Sequence, residues 1–288
     1  MSLRTTLLGL VALSAACGQP AGLAELDGTD GRAGTDEAAV ATAARALSTR
    51  AQQALDWANG WFLDVDGHPE KLAENEYTAS SPTLVRAGAG VLASNRSVCG
   101  TLVTMLIQNS TGLTSSDFYK SFNKAMDGTC DVGTVGGVQK GTTSPSAAQY
   151  LYKISQCAAT GPIKFTAHTT IGAIEAGDVL VVSFPERTDI SGHVMVVRAA
   201  PVADTSLPAG PSGSTAYAVE VIDSTQTPHG TSATYPDWRG GGTGEGLGHG
   251  TFILYASATG ALVASRWSAT DPDLFDSSAH PLAAGGLQ

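Results

Sequence analysis

The chain has 288 residues and a formal net charge of −10, from 16 Lys and Arg against 26 Asp and Glu. That acidity argues against binding a nucleic-acid backbone or a membrane surface through a basic patch, because both need clustered cations. With 42% hydrophobic and 15% charged residues it can bury a full core, and four Cys are too few for a disulfide scaffold.

The N-terminus reads as an export signal over residues 1–16. Arg4 supplies the positive end, Leu7 to Leu13 the apolar run, and Ser14-Ala15-Ala16 the small residues before cleavage. Cys17 follows at once, in the position of a lipidated first residue; plain secretion is the alternative. Either route leads to an oxidising compartment where disulfides persist. The apolar run is too short to span a bilayer, so any membrane attachment is expected through the lipid alone. Residues 17–35 are rich in Gly, Ala and small polar side chains and read as a flexible tether. Residues 36–288 then form a single domain with an N-terminal helical extension.

Helical spacing of apolar residues predicts helices over Ala38 to about Leu63, Ser97 to Asn109, Ser116 to Met126, and from Ser144-Pro145 through Cys157. Five short Val- and Ile-rich runs bounded by turn residues predict strands: Asp178–Ser183, Gly192–Arg198, Tyr217–Asp223, Thr251–Ala256 and Leu262–Trp267. Helices followed by strands imply an α+β fold with an antiparallel sheet of about five strands.

Three residues carry the chemical expectation. Cys99 stands at the predicted start of a helix, where the positive end of the macrodipole favours a thiolate. Gly100 beside it would let a substrate approach the backbone. His193 heads one strand and Asp223 closes the next, so a carboxylate can orient an imidazole across the sheet. Ser224 and Asn95 are the other candidates to orient the ring. Cys130 and Cys157 offer each other a disulfide partner, which leaves Cys99 single; pairing of Cys99 with Cys130 would remove the nucleophile. His229 and His249 lack a metal motif such as HExxH or CxxC, so neither a metal nor another cofactor is expected. Gly240 to Gly248 reads as a mobile loop, with Arg239 placed to meet an acidic group of a substrate.

A Cys at a helix start, a Gly-Asp-led strand, Gly192-His193-Val194 and a polar strand end together resemble the papain-like NlpC/P60 and CHAP families of cysteine peptidases and amidases. The resemblance spans about Tyr77 to Trp267. It implies Cys99 as nucleophile, His193 as general base, Asp223 as orienting group and Tyr77 near the oxyanion. An exported hydrolase of cell-wall peptides or another amide is the expectation. An inactive envelope lipoprotein that binds a cell-wall or protein partner is the alternative.

Overall fold

The computed structural model describes residues 48–60, 72, 74–85, 94–122, 143–186, 192–230, 232–239 and 244–288. The signal, Cys17, the tether and Cys130 lie outside them. Among the described residues the α-helices are α1 (Thr49–Asn59), α2 (Cys99–Thr111), α3 (Ser115–Ser121) and α4 (Ala147–Cys157). Their ends follow local chemistry. Ser48, Thr114 and Ser146 each accept a hydrogen bond from a backbone N–H of the first turn. Thr114 with Asp117 and Ser146 with Gln149 form reciprocal capping boxes. The fourth helix is thus capped by Ser146, two residues beyond the expected Ser144.

Three short strands, β1 (Glu74–Glu76), β2 (Thr83–Val85) and β3 (Ser94–Arg96), form a small sheet with β3 in the middle. The large sheet contains β4 (Phe165–His168), β5 (Asp178–Val182), β6 (His193–Val197), β7 (Val202–Ala203), β8 (Thr215–Thr225), β9 (Trp238–Arg239), β10 (Gly246–Ala256), β11 (Leu262–Arg266), β12 (Phe275–Asp276) and β13 (Leu282–Leu287). Its order is β12-β11-β10-β8-β6-β5-β13-β4, with β7 beside β8 and β9 beside β10. All of its pairings are antiparallel.

This corrects the papain-like α+β expectation. All five anticipated strands form, but β8 and β10 each run for 11 residues. In addition, β13 inserts between β5 and β4. The result is a mostly antiparallel β structure, ten strands in its main sheet with short helices against it, and not a helical layer leaning on a five-stranded sheet.

The sheet curls on itself. Thr170, just past β4, bridges Ala261 at the entry to β11, and Ile171 N–H donates to Gly260 O at 2.8 Å. Two main cores result, one on each face, because successive strand residues point to opposite sides; a smaller third cluster gathers Leu207, Ile253, Tyr255 and Ala264. On β5 and β6, Val179, Val181, Val194 and Val196 pack under the helices with Leu102, Leu106, Ile107, Tyr150 and Ile154. Leu180, Val182, Met195 and Val197 face the enclosed side with Val219, Val221, Phe252, Leu254 and Trp267. Strands buried on both faces read as continuous apolar runs, which is why DVLVV and HVMVV lack alternation.

Gly192, just before β6, holds φ at +129°, and a Cβ there would drive into the Val182 carbonyl and Ser183. Gly172 has ordinary φ and open space around it. Gly192→Ala is expected to cost at least about 2 kcal/mol in urea unfolding, and Gly172→Ala to stay within about 0.5–1 kcal/mol of wild type.

Candidate functional site: a buried His-Asp-His-Arg network and the groove beside it

Alternation along β6 and β8 decides where the predicted site residues lie. Val194, Val196 and Ile222 face the helices, so His193 and Asp223 face the enclosed side. There the His193 ring packs edge-on against Trp267, with ring centres 4.8 Å apart. The predicted pairing of His193 with Asp223 is present: Nε2 lies 2.5 Å from Oδ2, with both side chains buried.

Cys99 is elsewhere. It is fully buried in the helix-side core, on the other face of the sheet from His193. It is also disulfide-bonded, as is Cys157, and no cysteine among the described residues is free. The sulfur expected to be the single, reactive thiol is therefore oxidised and separated from the imidazole by the sheet. The Gly100 position serves packing: a Cβ there would sit 2.5 Å from the Pro145 carbonyl oxygen at the entry to α4. Ser224 donates to Ser97 O at 2.7 Å and Asn95 donates to Asn75 Oδ1 at 3.0 Å, so neither orients His193. Tyr77 is buried just after β1.

What gathers around Asp223 includes groups with no predicted role there. His229 Nε2 lies 2.9 Å from the same Oδ2, and His229 Nδ1 lies 2.9 Å from the Trp267 carbonyl oxygen. The His229 ring stacks on Trp267 at 4.1 Å and 22°. Arg239 Nη2 donates to the other carboxylate oxygen, Oδ1, at 2.7 Å and to Asp237 Oδ2 at 3.0 Å. Its Nη1 donates to Gly246 O at 2.7 Å. Asp237 also accepts the His229 backbone N–H at 2.7 Å. Arg239 does meet acidic groups, but they belong to its own chain.

Glycines make room for this network. Gly248 on β10 is flanked by Asp223 on β8 and by Arg239 on β9. A Cβ on Gly248 would collide with the Arg239 side chain, and one on Gly250 with Asp237 and His229. The bare backbone lets the guanidinium cross over β10 to the carboxylate. The end of the Gly-rich stretch expected to be a mobile loop is thus strand; residues 240–243 lie outside the description.

The electrostatics follow from burial and pairing. Burial works against a charge on Asp223, but Arg239, then His229 and the His193 contact, outweigh it and hold the carboxyl well below its ordinary range. Burial pushes His193 down, against the opposing pull of Asp223.

On the opposite face of the same strands lies a groove of about 290 Å³, lined in part by Val202, Glu220, Tyr235, Trp238, His249 and Thr251. Trp238 pairs with His249 across β9 and β10, and is 37% exposed. Tyr235 OH donates to the Asp204 carboxylate, which fixes that wall. Arg198 Nη1 donates to Glu220 Oε1 at 2.5 Å and lies 3.0 Å from His249 Nδ1. Contact with His249, stronger than the opposing effect of burial and helped by Arg198, holds Glu220 below its usual value. Sequence reasoning weighed His249 only as a metal ligand. The useful signal was Gly248-His249-Gly250, alternating positions that send the imidazole to one face and empty space to the other.

Over a 134-residue alignment, the chain is 31% identical to an uncharacterized protein, R653, of Acanthamoeba polyphaga mimivirus. The match covers 43% of this chain and 57% of that protein. No family model and no solved structure matches.

Asp223→Ala leaves Arg239 buried without its closest carboxylate. We expect a loss of about 3–5 kcal/mol in chemical denaturation. Asp276→Ala, at the exposed end of β12, should leave the denaturation midpoint close to that of wild type in the same assay.

Proposed function

We propose that the chain is an exported binding protein, tethered at the cell surface through Cys17, that holds a neutral carbohydrate in the groove beside β9. One observation carries this reading: Trp238 and Tyr235 line the same groove as the Glu220 carboxylate and the His249 imidazole. A sugar ring has apolar C–H faces and hydroxyl edges. An exposed indole stacks against the first, while planar polar groups such as Glu220 and His249 bond the second. The net charge of −10 disfavours a polyanionic ligand, and the groove volume suits a ligand of one or a few rings. Disulfide-bonded Cys99 and Cys157 support passage through an oxidising compartment. Glycan strands of the cell wall are the ligand class that such a location makes available.

Amide hydrolysis through Cys99 would need the disulfide reduced and the sulfur carried to the other face of the sheet. The surface-binding alternative needs neither.

Calorimetry against neutral oligosaccharides and soluble glycan fragments of peptidoglycan tests the reading. Binding should weaken at least about 10-fold in Trp238→Ala and in Glu220→Gln, equivalent to about 1.4 kcal/mol, while far-UV circular dichroism stays unchanged. No binding to any sugar at millimolar concentration, or binding indifferent to Trp238, contradicts it.

A further inference from the structure

We propose that His193, Asp223 and His229 together hold one divalent transition-metal ion of the zinc class, as a buried three-residue site inside the curled sheet with a water molecule as its fourth ligand. The site is independent of the groove and of what binds there.

His193 Nε2, Asp223 Oδ2 and His229 Nε2 lie within 4.8 Å of one another, and all three residues are buried. Two imidazoles and a carboxylate form a donor set suited to zinc and its neighbours. Both rings aim Nε2 at the same carboxylate oxygen, at 2.5 and 2.9 Å. A tetrahedral site with ligand bonds near 2.0–2.1 Å needs about 3.3 Å between donor atoms. Admitting the ion therefore asks each imidazole to back away from Oδ2 by less than about 1 Å, and the two Nε2 atoms, within 4.8 Å of each other, to draw in to about 3.3 Å.

The outer contacts are those that hold ligands. His229 Nδ1 faces the Trp267 carbonyl oxygen, so it must carry the proton that donates there. In a neutral ring this leaves the Nε2 lone pair pointing at a carboxylate oxygen 2.9 Å away. A positive centre has to sit between them, either a second proton or a metal ion. A carbonyl on the far nitrogen and a stacked Trp267 fix tautomer and ring, the arrangement that orients a metal-binding His. Arg239 occupies Oδ1 and leaves Oδ2 for the ion. Charge agrees: Asp223 and Asp237 bring two negative charges against one from Arg239, all three side chains at most 1% exposed. A buried cluster with that imbalance calls for another cation.

The test uses the mature chain, metal-stripped and then dialysed against zinc or cobalt. Wild type should retain about one equivalent by mass spectrometry of the metal. Its cobalt form should show the intense visible bands of a four-coordinate ion, and X-ray absorption of the zinc form should show two imidazole ligands. His193→Gln and His229→Gln should each retain less than a tenth of this, and His280→Gln, which pairs with Glu186 and not with Asp223, should retain all of it. If the two ligand variants do not fold, the wild-type spectra alone decide. Metal retained equally by both ligand variants overturns the proposal. So does a stripped wild type that takes up no ion and shows both His229 ring nitrogens protonated by 15N NMR.

Discussion

A single negative charge, shut away from water, organises the enclosed side of this protein. Asp223 sits in the middle of the sheet with no exposed surface, and an isolated carboxylate there would give up its charge rather than stay ionised. The chain supplies donors from three separate places: His193 from β6, His229 from the turn after β8, and Arg239 from β9. The last is the most demanding, since Arg239 must reach over β10. Gly248 and Gly250 permit it by giving up their side chains along the path. Strand β9 is only two residues long, too short to hold itself by its ladder alone. The ion pair beneath it is what fixes Trp238, one residue earlier and pointing the other way, at the edge of the groove. The buried network and the exposed surface are thus two faces of one set of strands.

The same two-sidedness separates the thiol from the imidazole. In a strand one step of sequence is a change of face, so Val194 under the helices places His193 on the enclosed side. Cys99 belongs to the helix layer and is oxidised there. Its role in this structure is to crosslink and pack, and the His193–Asp223 pair is left as part of a charge network with no sulfur in it.

The elements richest in Val and Ile were legible from the chain. So were the starts of α2, α3 and α4 to within a few residues, because apolar spacing acts locally, as do the Thr114 and Ser146 caps of α3 and α4. The pairing of His193 with Asp223 was also legible, since neighbouring strands bring their ends together. Strand β13, Leu282–Leu287, was not: LAAGGL has neither β-branched residues nor alternation, and is held by β5 on one side and β4 on the other. The first half of β10 was hidden in the same way, because its glycines signal a loop until one knows what must pass over them. His229 and Arg239 went unassigned to Asp223 for a related reason. Their meeting depends on turns and on a long reach across a strand, which residue spacing does not encode.

The central claim is that the Asp223–Arg239 pair holds β9 against β10. Native-state amide hydrogen exchange on Arg239→Lys, which keeps the charge but loses the planar fork, tests it most directly. The account predicts that protection falls selectively at residues 237–239 and 246–250 while β5 and β6 keep theirs. Protection unchanged at β9 and β10, or lost evenly across the sheet, would contradict it.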